Sequence, residues 1–236
     1  IIVHCGSKAL HGIKYAMGSL TIMENYSIEI SVRRLVEFVL RSGSIDNRIH
    51  QVSADAMQEG SRIHRMIQKS MGPDYHAEVP LKYIYNTGRY DLTIEGRADG
   101  ILDEFFNEAS YDAQESLFEG GKELPLVDEI KGTYRDLKKM KEPVEVHLAQ
   151  AKCYAAIYLG QKNCPGIKVR MSYCNMDTEE MKYFDYKYSS EEITAWFENL
   201  IKKYFIENKS IIILIKNIEI LICFNYSKPN NINNIN

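Results

Sequence analysis

The sequence predicts a mixed α/β domain built around one central sheet, and two patterns point to it. Stretches in which apolar residues recur with helical spacing are interspersed with stretches in which every second residue is apolar. They follow the order helix, helix, three strands, helix, two strands, helix, which is typical of a sheet covered by helices. The length of 236 residues and the hydrophobic content of 45% fit one substantial globular domain.

Four segments have the apolar spacing of helices. The predicted helices cover residues 32–40, 54–70, 144–159 and the stretch from Ser189 to Tyr204. Gly43 follows the first helix at the place of a C-terminal cap. Ser189 and Glu192 form the sequence pattern of a capping box, so the last helix should begin there.

Five further segments are predicted to be strands. They cover residues 79–85, 92–98, 124–131, 169–173 and 182–188, four by their alternation and the run 124–131 by its apolar character. Asn86, Thr87 and Gly88 supply a turn between the first two, and residues 176–179 supply one between the last two. These elements define a predicted domain over residues 28–205.

The two ends of the chain carry less pattern. Residues 1–27 are an unassigned N-terminal extension, and residues 206–236 are an unassigned tail rich in Ile and Asn. The tail is either a disordered segment or, as we prefer, sequence that is not native coding sequence, because AT-rich DNA read in a wrong frame yields Ile, Asn and Lys. Its apolar part is interrupted by charges and is shorter than the roughly 20 residues that a membrane span needs, so no membrane partner is expected.

The cysteines and the N-terminus indicate a cytoplasmic protein. Five cysteines are scattered along the chain without a CxxC pair, which argues against a zinc knuckle and a disulfide framework. The first residues lack the basic flank and the long apolar stretch of a signal peptide.

Charge is segregated along the chain. The net charge of −3 excludes a general basic field that would attract nucleic acid. Residues 131–141, however, carry a net charge of +4, whereas residues 103–129 carry −8. A local basic rim of this kind suits phosphate binding, although a solvated surface is the simpler reading.

Four short sequence elements carry the predicted chemistry. They are Gly60-x-x-x-His64, Gly96-Arg97-Ala98-Asp99-Gly100, Glu129-Ile130-Lys131 and Gln150-x-x-x-Tyr154. The third is weak alone, because an acid-x-Lys triplet occurs five times in the chain. Its position at the end of an apolar run, after the strand that carries Asp99, distinguishes it from the other four.

The first three elements predict a metal site. Residues two apart on a strand share a face, so Glu129 and Lys131 should project together while Ile130 turns to the opposite layer. Two carboxylates close together repel unless a cation lies between them, and Mg²⁺ or Mn²⁺ suits oxygen ligands. His64 could add an imidazole from a neighbouring helix, and Gly60 is expected to let that helix approach closely. An ordinary ion pair between Glu129 and Lys131 is the alternative.

The fourth element lies on the following helix. Gln150 and Tyr154 are four residues apart and therefore share a helix face. They could grip a nucleotide backbone or support the site, and Tyr154 could also be a simple core residue.

In this order the four elements resemble the PD-(D/E)xK nuclease superfamily, specifically its RecB-like branch. The resemblance covers about residues 28–205 and implies a restriction-endonuclease-like core. It implies metal ligation by His64, Asp99, Glu129 and the Ile130 carbonyl, catalysis by Lys131 with Asp99 and Glu129, and a DNA-side helix lined by Gln150 and Tyr154. An iron–sulfur cluster, present in several relatives, is not expected here because the cysteines do not flank the core in a set of four.

The stretches 31–38 and 128–133 look closer still to a nuclease module that precedes DinG-type ATP-dependent DNA helicases. Because Asp128 precedes Glu129, either could be the acidic residue of the acid-x-Lys motif. Alternation along the strand favours Glu129, which shares a face with Lys131.

Together these observations predict a metal-dependent DNA nuclease, acting on single strands or DNA ends and associated with a repair or recombination helicase. The alternative is a DNA-binding or docking module that keeps the nuclease fold without turnover. RNA remains open as a substrate, since the phosphodiester chemistry is shared.

Overall fold

The computed structural model describes residues 2–4, 26–40, 54–88, 90–104, 124–162 and 164–208. Within these ranges a mixed sheet of seven strands is flanked by four α-helices, which confirms the predicted α/β class. The strands are β1 Ile2–His4, β2 Tyr26–Ser31, β3 Tyr75–Asn86, β4 Tyr90–Leu102, β5 Leu126–Thr133, β6 Gly166–Asn175 and β7 Met181–Ser189. The helices are α1 Val32–Val39, α2 Ala54–Ser70, α3 Glu145–Lys162 and α4 Ser190–Glu207, and Leu137–Lys139 forms a short 3₁₀ turn.

Strand β4 organises the sheet. β3 pairs with it antiparallel along almost its whole length and so occupies one edge. The other edge is divided, because β2 pairs in parallel with residues 90–95 and β5 pairs antiparallel with residues 100–102. β6 then lies parallel to β5, β7 antiparallel to β6, and β1 antiparallel to β2. Residues 96–99 of β4 therefore have no strand partner on the divided edge among the described residues.

Two apolar clusters hold the helices to the sheet. The larger one joins α1, α3 and α4 to one face, with Val127, Val169 and Met171 fully buried in it. The smaller one packs Ile63 and Ile67 of α2 against Ile130. Because neighbouring strand residues point to opposite faces, α2 covers the face of β5 away from the larger core. Ile130 thus turns to the opposite layer, as the alternation predicts.

Local sequence signals set several boundaries. The Ser189 hydroxyl accepts a hydrogen bond from the Glu192 N–H at 3.2 Å, and the Glu192 carboxylate accepts one from the Ser189 N–H at 2.9 Å, so the predicted capping box begins α4. At the β3–β4 turn Gly88 has φ of +81° and its N–H donates to the Asn86 side chain at 2.7 Å. Helix α2 spans the predicted residues 54–70.

The structure adds two strands that the sequence patterns do not predict. β1 and the first two residues of β2 fall in the unassigned segment 1–27, and both strands extend the sheet beyond β4. The predicted cap at Gly43 lies outside the described residues, and so does the tail except for residues 206–208, which complete α4 and its C-cap. None of the helices in the described ranges combines the length and apolarity needed to cross a membrane.

Candidate active site

Asp99 lies where β4 and β5 separate. The ladder between the two strands ends at the pair Gly100–Asp128, so the next N–H along β5 that faces β4 is not used by it. That N–H, from Ile130, donates instead to Asp99 Oδ2 at 2.8 Å. The Asp99 side chain is 15% exposed. The fork between the strands thus fixes a carboxylate at the edge of the core with one face open to solvent.

His64 reaches the same point from α2. Its Nδ1 atom is 3.6 Å from Asp99 Oδ1, on the other oxygen from the one that Ile130 holds. The helix is anchored by Ile63 and Ile67 rather than by close approach of Gly60. Within the described residues a Cβ at Gly60 would meet nothing within 4 Å, so the expected role of Gly60 in helix approach finds no support there. Apolar packing, not a small residue, brings His64 to Asp99.

Glu129 and Lys131 project together from β5. Lys131 Nζ is 2.5 Å from Glu129 Oε1, and the Glu129 side chain is only 1% exposed. Its second oxygen, Oε2, is buried and has no hydrogen-bond partner among the described residues. Burial and the charge of Asp99 raise the pKa of Glu129 to about 8, although the Lys131 ammonium opposes this shift. A buried carboxylate oxygen without a partner is costly, and a cation would remove the cost.

The pKa of Asp99 is raised in the same way as that of Glu129. Burial raises its pKa, and the nearby charges of His64 and Lys131 oppose the shift without cancelling it. The negative charge of Asp99 also raises the pKa of Glu129, and the negative charge of Glu78 raises the pKa of Asp99. The ligand atoms close enough together to share one divalent cation are those of Asp99, His64 and a further acid, Glu78, and Glu129 lies outside this group.

Glu78 is a further acidic residue at the site, and the sequence analysis did not identify it. It lies opposite Asp99 in the β3–β4 register, between the pairs Ala77–Gly100 and Val79–Ala98. Ligand atoms of His64, Glu78 and Asp99 all lie within 4.8 Å of one another, a spacing that one cation could bridge. Counting back from the turn at residues 86–88 places Glu78 across from Asp99, so the hairpin register was the available signal.

The backbone of Glu78 is unusual. Its φ is +56°, in the left-handed region that a glutamate rarely adopts. Gln68, one turn after His64 on α2, donates to Glu78 Oε1 at 3.2 Å and to the Asp99 carbonyl at 2.9 Å. Arg97 Nε lies 3.1 Å from Glu78 Oε2. These contacts hold the carboxylate of Glu78 on the wall of an open cavity of about 590 Å³ that His64 also lines.

Asp128 is already engaged by two hydroxyl groups. It accepts hydrogen bonds from the Tyr75 hydroxyl at 3.1 Å and the Ser172 hydroxyl at 2.5 Å. Burial raises its pKa to about 6, while these two donors oppose the shift. Gly100 makes room for the tyrosine, since a Cβ there would lie 1.8 Å from the Tyr75 hydroxyl oxygen. The geometry therefore favours Glu129 over Asp128 as the acid of the site.

Tyr154 packs against strand β4, which carries Asp99. It is 3% exposed, and a Cβ on Gly96 would lie 2.8 Å from its hydroxyl oxygen. The Arg97 N–H and the Gln150 side chain donate to that hydroxyl, although burial still raises the pKa of Tyr154 to about 12. Such a buried phenol offers a bound strand almost no surface, which favours a positioning role for Tyr154. Gln150 is only partly buried, so a substrate contact for Gln150 remains a prediction.

The basic segment after β5 is fixed to the sheet. Lys182 Nζ donates to the carbonyl of Leu137 at 2.9 Å and to that of Met140 at 2.5 Å. Lys138 and Lys139 on the 3₁₀ turn are exposed. Lys139 lies 3.5 Å from Asp136, an exposed pair that contributes little to stability. The segment therefore holds exposed lysine side chains at a fixed position a few residues after Lys131.

Comparisons with known proteins give distant structural likenesses only. No protein-family model matches the chain, and no curated protein sequence matches it. The crystal structure of a protein called SSO0001 aligns over 76% of each chain, with 20% identity and a TM-score of 0.46. That of the alkaline exonuclease LHK-Exo from Laribacter hongkongensis aligns over 83% of this chain and 93% of its own, with 11% identity and a TM-score of 0.45.

Proposed function

We propose that the protein is a divalent-metal-dependent nuclease that hydrolyses phosphodiester bonds in DNA. The observation that carries the proposal is Glu129, a buried carboxylate with one oxygen bonded to Lys131 and the other without a hydrogen-bond partner in the part of the chain that the structure describes. A module that only binds DNA has no use for such a group, because leaving it unpaired destabilises the fold. The arrangement favours catalysis over the alternative of an inactive docking module.

The residues present fit a divalent cation. Asp99 and His64 would be its side-chain ligands together with Glu78, whose ligand atoms lie within 4.8 Å of theirs, and Glu129 and the Ile130 carbonyl are further candidates. Oxygen donors with one imidazole suit Mg²⁺ or Mn²⁺, and Mn²⁺ accepts the imidazole more readily. When bound, the cation supplies neutralisation of the scissile phosphodiester and a lower pKa for an attacking water.

The remaining chemistry belongs to the protein's own side chains. Lys131 is held at Glu129 with its ammonium partly exposed, so it can orient the attacking water or neutralise charge that develops on the phosphoryl oxygens. Attack forms a bond between the water oxygen and phosphorus while the bond to the leaving sugar oxygen breaks. Tyr154 and Gln150 hold the strand that carries Asp99. The exposed lysines of residues 131–141 could contact the flanking phosphates.

The direct test is a cleavage assay on a single-stranded and a double-stranded DNA with Mg²⁺ or Mn²⁺. Asp99→Ala and Lys131→Ala should each lower the rate by about a hundredfold or more, the usual effect of losing a charge-stabilising group. Asp185→Ala and Lys187→Ala are matched controls, because they alter another acid-x-Lys triplet on β7. Equal activity in all five proteins would refute the catalytic assignment.

We also propose, on the motif resemblance alone, that the nuclease acts on single strands or DNA ends in the cytoplasm and works with a DinG-type repair or recombination helicase in the same polypeptide. The gene sequence downstream of this chain tests the second part. An in-frame nucleotide-binding P-loop supports helicase association, whereas an unrelated downstream domain contradicts it.

A further inference from the structure

We propose that Arg97 is a phosphate-binding residue that Glu78 holds back until a divalent cation takes Glu78 as a ligand. This inference rests on the proposed function, because it concerns the same cation and the same DNA. It adds Arg97 to the site and a dependence of Arg97 on Glu78: DNA would gain the Arg97 contact only after the cation is bound.

The first step is the ion pair between Arg97 and Glu78. Arg97 Nε lies 3.1 Å from Glu78 Oε2, and the two side chains are 66% and 45% exposed. Arg97 is two residues before Asp99 on β4, so the two side chains share a face. Glu78 lies opposite Asp99 on β3, which makes Arg97 its diagonal neighbour across the pair.

The second step is the competing demand on Glu78. Its carboxylate belongs to the group with His64 and Asp99 whose ligand atoms fit around one cation. Glu129 also has a buried carboxylate oxygen without a hydrogen-bond partner among the described residues, and a nearby cation would stabilise that oxygen. A doubly charged ion at short distance attracts a carboxylate more strongly than an exposed guanidinium does. Cation binding therefore weakens the hold of Glu78 on Arg97.

The third step is what the released Arg97 can reach. It lines the 590 Å³ cavity together with His64. It also lines a second cavity of about 700 Å³, which shares Glu78 and Arg97 with the first and continues along β3 and β4 toward Ser31. Arg97 thus lies at the junction of two open grooves, one of which is lined by the candidate metal ligands His64 and Glu78. A guanidinium there can bind a phosphate through two parallel hydrogen bonds.

The test measures binding of a fluorescent single-stranded oligonucleotide by anisotropy, once in EDTA and once in Ca²⁺ with the oligonucleotide checked for integrity. The proteins are the wild type, Arg97→Gln, Glu78→Gln and the double variant. Lys202→Gln and Glu198→Gln are matched controls, because they break an exposed ion pair of similar exposure on α4.

Arg97→Gln should weaken binding about tenfold in Ca²⁺, the usual effect of losing a charged hydrogen bond, and change it little in EDTA. Glu78→Gln should tighten binding in EDTA by about two- to fivefold, because it frees Arg97 without a cation. That gain should vanish in the double variant. Glu78→Gln should also lower the affinity for Mn²⁺ alone in calorimetry, since it removes a ligand.

Two results would overturn the proposal. One is an equal loss of affinity for Arg97→Gln in EDTA and in Ca²⁺, which would make Arg97 a constant contact. The other is a gain for Glu78→Gln that persists without Arg97, which would reflect only a lost negative charge. Cleavage of DNA by the wild type tests the proposed function separately. If the wild type cleaves DNA and either result is found, the proposed function stands and only the inference about Arg97 is refuted.

Discussion

Two glycines of β4 make room for tyrosines that come from other elements. Gly96 lies against Tyr154 of α3, and Gly100 lies against Tyr75 of β3, whose hydroxyl binds Asp128. Neither glycine has a positive φ, so glycine is needed at these positions to leave room for the tyrosines and not for its backbone conformation. The Gly-Arg-Ala-Asp-Gly stretch therefore serves packing at both ends and chemistry between them.

Gly100→Ala tests this at the scale of one residue. The new Cβ would meet the Tyr75 hydroxyl, so the tyrosine must move and the buried bond to Asp128 is lost. We expect the free energy of unfolding to fall by about 2–4 kcal/mol, as measured by chemical denaturation. Gly60→Ala is the control, because the new Cβ meets none of the described residues within 4 Å and lies in α2, where alanine should stabilise the fold by up to about 1 kcal/mol. A loss at Gly100 no larger than that of an ordinary surface substitution would contradict the packing role.

At the scale of elements, the structure follows the local signals closely where they exist. Helix α4 begins at the predicted capping box, and β3 and β4 are joined at the predicted turn. β1 and β2 escaped prediction because one has three residues and the other pairs in parallel with a strand far along the chain. Pairing of that kind leaves little trace in the local pattern.

Ser189→Ala tests the capping box. The substitution removes the acceptor for the Glu192 N–H, so the free energy of unfolding should fall by about 1 kcal/mol. Thermal or chemical denaturation of Ser190→Ala, which alters the first residue inside the same helix, supplies the comparison. If both variants lose the same stability, the cap contributes nothing of its own.

The site shows the same division between local and non-local information. Motif spacing identified His64, Asp99, Glu129 and Lys131, and the structure pairs His64 with Asp99 and Lys131 with Glu129. Glu78 was missed because its position depends on the register of the hairpin and on a positive φ, which a glutamate in the sequence does not indicate. The Tyr75–Asp128 bond was missed because its partners are 53 residues apart.

At the scale of the whole molecule, the site joins elements that pack separately. α2 belongs to the smaller cluster, whereas Glu129 and Lys131 project from β5 toward the side of the larger core. A ligand held by residues from both sides ties the two parts together. Binding to the folded state alone raises its stability by mass action.

Mn²⁺ should therefore raise the melting temperature of the wild type. At a hundred times the dissociation constant the gain is about 2.7 kcal/mol, which amounts to several degrees for a domain of this size. Asp99→Ala should lose most of this shift, and Asp185→Ala should keep it. Differential scanning fluorimetry with and without EDTA measures both. A shift of the same size in Asp99→Ala would show that the ion binds elsewhere.

The divided edge of β4 has one more consequence. Between the last pair with β2 and the first with β5, residues 96–99 have no neighbouring strand there, and the Tyr154 hydroxyl receives the Arg97 N–H in its place. The phenol thus substitutes for a missing strand, filling the space above a residue that has no side chain. Positions 96 and 154 should consequently change only in concert during evolution: a bulkier residue at the first calls for a smaller one at the second, together with some other acceptor for the orphaned amide.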